Sequence, residues 1–127
     1  MVRVNAVGPL LVTQALVPLL VNAAAPRVLH VSSWLGSIAR KRSGGNYGYA
    51  ASKATLNMLG RTLAFDLLER EIMSVLMNPG WVQTDMGGTR ADLTADASVA
   101  GMLAVVAGLG PADAGRFRQW DGSELAF

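Results

Sequence analysis

Two short apolar runs, Val28-Leu29-His30-Val31 and Ile72-Met73-Ser74-Val75-Leu76-Met77, flank a long stretch whose leucines recur at helical spacing. Each run is rich in β-branched and apolar residues and bounded by turn formers, the pattern of a buried strand. Between them, Leu56, Leu59, Leu63 and Leu67 fall on one stripe of a helix from about Tyr47 to Arg70, and Ala50, Ala51 and Ala54 leave room for close packing. Strand, helix, strand in this order predicts a parallel pair joined by a right-handed crossover, and hence an α/β fold. A first helix over about 5–21, a helix over 95–108 led by Thr94 or Asp96 as cap, and a short strand Arg116–Trp120 closed by Asp121-Gly122 complete the expected elements. No repeat, linker or low-complexity segment divides residues 1–127, which read as one domain or the second half of one.

Tyr49-Ala50-Ala51-Ser52-Lys53 opens the long helix. Residues four apart lie on one face about one turn apart, so a phenol and an ammonium can meet there. A phenol of ordinary pKa, about 10, is a poor acid-base catalyst at neutral pH, and each unit of downward shift needs roughly 1.4 kcal/mol. An ammonium about 4 Å away offers on the order of 4 kcal/mol at an effective dielectric near 20. Such a pair suits proton transfer. Upstream, the first apolar run ends in Ser32-Ser33, and strand ends of open α/β sheets are where ligands collect.

Taken in order, Asn5-Ala6-Val7-Gly8-Pro9, Val31-Ser32-Ser33-Trp34-Leu35-Gly36-Ser37-Ile38-Ala39, Tyr47-Gly48-Tyr49-Ala50-Ala51-Ser52-Lys53-Ala54, Asn78-Pro79-Gly80-Trp81-Val82-Gln83-Thr84-Asp85-Met86-Gly87-Gly88 and the closing Gly115-Arg116-Phe117 with Trp120-Asp121-Gly122 resemble the short-chain dehydrogenase/reductase family. Within it the resemblance is strongest to the C-factor and sniffer-like carbonyl reductases. It covers nearly the whole chain. It implies the second half of a Rossmann-type doubly wound parallel sheet and an oxidoreductase using NAD or NADP on a small-molecule carbonyl or alcohol substrate. It implies that Tyr49 gives a proton to the substrate oxygen or takes it back, and that Ser33 holds that oxygen. Lys53 would favour ionisation of Tyr49 and bind the nicotinamide ribose, and Asn5 would hold a water linking Lys53 to solvent. Pro79, Gly80, Val82 and Thr84 would lie against the cofactor, Val82 near its carboxamide and Thr84 near the phosphates.

A complete member of that family opens with a strand, a glycine-rich turn and a helix whose N-terminus holds the pyrophosphate. Residues 1–5 align instead with the helix carrying the catalytic asparagine, so the expectation is a chain truncated to the catalytic half, binding cofactor weakly or not at all by itself. Its first apolar run then becomes an open sheet edge. Gly44-Gly45 and Gly87-Gly88 do not follow a strand and open a helix, and read as loop glycines, the second pair also fitting a hinge of a substrate-covering loop. In the resembled family the first and long helices commonly form the subunit interface, which implies a homodimer through 5–21 and 47–70.

Other chemistries fare worse. With no cysteine and one histidine there is no disulfide framework, no thiolate nucleophile and no basis for a metal site. A net charge of +2 is too small to argue for nucleic acid. Arg40-Lys41-Arg42 reads as a solvated loop, its sharper reading being attraction of an anionic substrate or cofactor phosphate. His30 stands three residues before Ser33 on a strand, where odd separations point to opposite faces, which disfavours a serine hydrolase and makes His30 a core or sheet-face residue. Trp34, Trp81 and Trp120 fit a substrate pocket and core packing equally. Residues 1–25 imitate a secretory signal, with Arg3, an apolar run over Val7–Val21 and Ala23-Ala24-Ala25. Asn5, Gln14 and the family match favour a core helix interrupted by Pro9 and kinked at Pro18, too short and too broken to span a bilayer. The expected location is cytoplasmic, with no membrane contact. A second reading is a cofactor-free, non-catalytic fragment acting in signalling or protein interaction.

Overall fold

The computed structural model describes residues 1–127. Its elements in chain order are a π-helical segment Arg3–Val7, α1 (Gly8–Leu20), β1 (Arg27–Val31), a 3-10 turn Trp34–Gly36, α2 (Tyr47–Leu68), β2 (Met73–Asn78), α3 (Ala95–Ala107), a 3-10 turn Pro111–Asp113 and β3 (Phe117–Gln119). The strands form one parallel sheet in the order β1-β2-β3. Arg27 stands opposite Met73 and Val31 opposite Met77, while Leu76 pairs with Phe117 and Asn78 with Gln119. This is the α/β parallel arrangement expected of the sequence.

All six residues of β2 are buried. Alternation along the strand sends Leu76 into a cluster with Ala6, Leu56, Phe117 and Leu125, and sends Met73, Val75 and Met77 into one with Met102 and Leu109. Helices thus cover both faces, which is why the run is continuously apolar rather than alternating. Each such side chain contributes about 1.5–3 kcal/mol by leaving water. A third cluster, Leu63, Leu67 and Ile72, receives Leu10, Val17 and Leu20 from α1. The leucine stripe of α2 is thereby buried at Leu56, Leu63 and Leu67 and half-buried at Leu59.

β1 is the open edge strand expected, with only His30 buried and Val31 47% exposed, because it has a neighbour on one side alone. Elsewhere expectation and structure differ. The last strand is shorter than expected, and α3 takes Thr94 rather than Asp96 as its cap, the Thr94 hydroxyl accepting the Ala97 N–H at 3.2 Å. The N-terminal run is neither short nor broken. Arg3–Leu20 is continuous helix of 18 residues with a mean hydropathy of 1.3, long and apolar enough by length and composition to cross a membrane. Pro9 falls where the π turn hands over to α1, the Gly8 N–H reaching back to Arg3 O, and this widened turn tolerates a residue without an N–H. Helix continues past Pro18 as well. In the fold one face of this helix packs on the core, while Leu11, Val12, Leu16 and Leu19 on the other remain open.

His30 is 5% exposed, its ring lies beside Gly60 of α2, and its Nε2 has no hydrogen-bond partner. Burial pushes its pKa below the ordinary 6.5, so the fold holds the neutral imidazole. The unfolded chain binds a proton near pH 6.5 that the folded chain refuses, so stability falls as pH drops through that value. Urea unfolding at pH 7.5 and 5.5 should show this loss, and His30→Leu should abolish it, since the chain has one histidine.

Candidate active site

The site is built on the turn that leaves β1. Ser32 donates its hydroxyl to Asn57 Oδ1 at 2.6 Å, and Asn57 Nδ2 donates to the Gly36 carbonyl at 3.2 Å, so one buried amide of α2 grips both ends of the turn. From the other side Asn78, also buried, accepts the Trp34 N–H on Oδ1 and donates from Nδ2 to Gln119 Oε1, both at 3.2 Å. The C-terminal ends of all three strands are thereby tied together. Gly36 makes the closeness possible: a Cβ there would lie 2.7 Å from the Lys53 carbonyl carbon and 3.0 Å from the Ala54 nitrogen. Between these anchors Ser33 caps the 3-10 turn, its Oγ accepting the Leu35 N–H at 3.2 Å. Its own proton stays uncommitted, whereas that of Ser32 is spent on Asn57.

Tyr49 and Lys53 sit in the first turns of α2, each half-buried. Lys53 Nζ donates to the Val31 carbonyl at 2.9 Å and lies 5.8 Å from the centre of the Tyr49 ring. Burial lowers the Lys53 pKa from its ordinary value. Asn5 reaches the same helix from the π-helical segment, where it donates to Ser52 Oγ at 3.0 Å, and Ser52 in turn donates to the Tyr49 carbonyl at 2.7 Å. Asn5 therefore meets α2 at Ser52, one residue before Lys53.

Beyond β2 the chain folds back over the strand ends. Leu93 N–H donates to Trp81 O at 3.2 Å and Gln83 N–H to Leu93 O at 2.8 Å, while the Ser98 hydroxyl of α3 holds the Pro79 carbonyl at 2.6 Å. Thr84 Oγ1 accepts the Gly87 N–H at 3.1 Å, and the Gly87 carbonyl accepts the Trp81 indole at 2.9 Å. Gly87-Gly88 thus lies in a loop turn, and Gly44-Gly45 lies in the loop before α2.

These segments enclose a cavity of about 600 Å³ whose wall brings together Ser33, Tyr49, Pro79, Gly80, Val82 and Thr84. Asn5 and Lys53 are not among the residues that line it. Met86, Val99 and Met102 also line it, residues that sequence reading did not single out. A second cavity of about 420 Å³ adjoins it and shares Trp34, Asn78, Gly80 and Trp81. Of the basic run, Arg42 donates to the Ala39 and Lys41 carbonyls and Lys41 to the Gly45 carbonyl, as a loop-bound run does, while Arg40 lines the second cavity.

Residues 1–94 match the family model described as short chain dehydrogenase. The chain is 50% identical over 122 residues to C-signal of Myxococcus xanthus, covering 96% of this chain and 74% of that protein. Among solved structures it resembles carbonyl reductase Sniffer of D. melanogaster, with a TM-score of 0.92 and 36% identity over 99% of this chain and 55% of that one. It also resembles the NADPH-bound carbonyl reductase from chicken fatty liver, with a TM-score of 0.89 and 40% identity over 97% of this chain and 54% of that one. The chain spans about half the length of these two structures.

The turn after β1 should be intolerant of bulk. Gly36→Ala is expected to cost about 1–3 kcal/mol in urea unfolding, because the atoms a methyl would strike are helix backbone.

Proposed function

The chain belongs to the short-chain dehydrogenase/reductase family, and from that membership we propose that it is the catalytic part of an NAD(P)-dependent oxidoreductase interconverting a small-molecule carbonyl and its alcohol. The observation that carries this reading is the convergence of Ser33 and Tyr49 on one cavity wall with Pro79, Gly80, Val82 and Thr84. Tyr49 passes the phenolic proton to the carbonyl oxygen as that oxygen gains negative charge, and recovers it in the reverse direction. Ser33, with its hydroxyl proton free, hydrogen-bonds the same oxygen and fixes its position.

The residues present suit a nicotinamide cofactor. Lys53 spends one of its three N–H donors on the Val31 carbonyl, leaving two for ribose hydroxyls. The Val82 N–H has no acceptor within the chain and is available to a carboxamide oxygen. Thr84, at the far end of this segment, is the group assigned to the phosphates. When bound, the cofactor would supply or accept the hydride at the substrate carbon. Asn5 keeps its Oδ1 free of protein donors and suits a water that carries protons between Lys53 and solvent. NADP is favoured over NAD by the likeness to the NADPH-bound carbonyl reductase.

Likeness to C-signal supports a second reading, a non-catalytic role in signalling or protein interaction. The open apolar face of α1, with Leu11, Val12, Leu16 and Leu19, and the exposed Met58 and Phe65 of α2 fit contact with a second copy in either case. Leu16→Glu should lower the molar mass seen by light scattering to that of a monomer, and an unchanged dimer would remove α1 from the interface.

Tyr49→Phe deletes the proton donor and keeps the ring that faces Lys53. Turnover of a carbonyl substrate with NADPH should drop at least 100-fold with the melting temperature unchanged. Equal turnover in the two proteins would overturn the catalytic assignment.

A further inference from the structure

All three tryptophans of the chain, Trp34, Trp81 and Trp120, line the smaller cavity, together with Leu93, Arg40 and Asp92. They come from three separate elements: the turn after β1, the loop after β2 and the end of β3. We infer that this cavity is an aromatic subsite that receives an uncharged ring of the carbonyl substrate, with Trp120 as the residue that sets the preference. This rests on the catalytic reading of the adjoining cavity.

The indole of Trp120 is held in a slot made for it. Its backbone N–H donates to the Asn78 carbonyl at 3.0 Å, so its place is fixed by the strand end beside the site. Two glycines flank the ring. A Cβ on Gly80 would come within 3.0 Å of Trp120 Cδ1, and one on Gly101 within 2.7 Å of Cε3 and 2.5 Å of the Trp120 carbonyl oxygen. Any other residue at Gly101 would displace the tryptophan. Trp81 is fixed in turn by its indole hydrogen bond to Gly87 O, and Trp34 stands one residue from Ser33. Aromatic rings attract one another through offset-stacked and edge-to-face contacts, and a space bounded by three indoles offers several such faces.

Charge argues for a neutral ring. Arg40 and Asp92 both line the cavity, with opposite signs, and neither enters an ion pair, since the chain's two salt bridges are Arg116 with Glu124 and Arg118 with Asp113. Lys41 and Arg42, the rest of the basic run, turn to loop carbonyls. The lining thus carries no net charge and gives an anion no advantage. About 420 Å³ is within the range of small-molecule sites and holds a two-ring system. Because this cavity shares Trp34, Asn78, Gly80 and Trp81 with the one that Ser33 and Tyr49 line, a ring here can belong to a molecule whose carbonyl lies there.

The test is titration of the purified protein with 2-acetylnaphthalene and, as the aliphatic counterpart, methyl cyclohexyl ketone, following inner-filter-corrected tryptophan emission. The naphthyl ketone should quench saturably. Trp120→Leu and the more exposed Trp34→Leu, each verified as folded by circular dichroism, should raise its dissociation constant at least tenfold and leave that of the aliphatic ketone within twofold. Absence of saturable quenching, or equal naphthyl-ketone affinity in wild type and either folded variant, overturns the subsite. Since the readout is binding, a protein that binds the ring as stated and reduces no ketone supports the subsite and contradicts the catalytic reading. One that reduces both ketones alike, with the variants unchanged, contradicts the subsite and leaves the catalytic reading standing.

Discussion

The approach of one turn to one helix governs this structure. At Gly36 the backbone leaving β1 comes so near α2 that a single methyl would collide with the helix backbone at Lys53 and Ala54. That contact brings the strand end bearing Ser33 against the helix turn bearing Tyr49 and Lys53. Two buried amides then make the arrangement rigid, Asn57 gripping the turn from α2 and Asn78 joining it to β2 and β3. Both amides also satisfy polar groups that would otherwise be stranded in the interior at roughly 1–3 kcal/mol each.

The sheet beneath supplies the rigidity that such a turn needs. β2 is buried on both faces, and its register with β1 and β3 sets where the three strand ends stop. Ligand-binding groups collect at those ends because the chain must leave the sheet there, in turns whose hydroxyls and N–H groups are not consumed by the ladder. Burial keeps His30 neutral inside the sheet, while Lys53, only half-buried, holds the Val31 carbonyl at the end of β1.

Much of this was legible in the sequence, and the reasons differ by element. Strand, helix and strand announce themselves through local periodicity, and Tyr49 with Lys53 through a spacing that helix geometry translates into proximity. The order of short motifs marked the family. The hydrogen bonds of Asn57 and Asn78 gave no such signal, because their partners lie 25 and 44 residues away and the pairing exists only once the turn has docked. The same holds for Asn5, whose contact with Ser52 spans 47 residues. Prolines misled the reading of the first helix: Pro9 looks like a break in sequence, yet the π turn ahead of it removes the clash. The tryptophans were undecided between pocket and core because residue type cannot distinguish the two; the glycines at 80 and 101 that make room for Trp120 become meaningful only in three dimensions.

In the function proposed above, Ser33, Tyr49 and Lys53 serve hydride exchange between a nicotinamide and a carbonyl. A direct measurement is to incubate the purified protein with a ketone and NADPH carrying deuterium at both C4 positions of the nicotinamide, so that either face delivers the label, and to weigh the product by mass spectrometry. The expected product is an alcohol carrying one deuterium on the former carbonyl carbon. Alcohol formed without the label would contradict this.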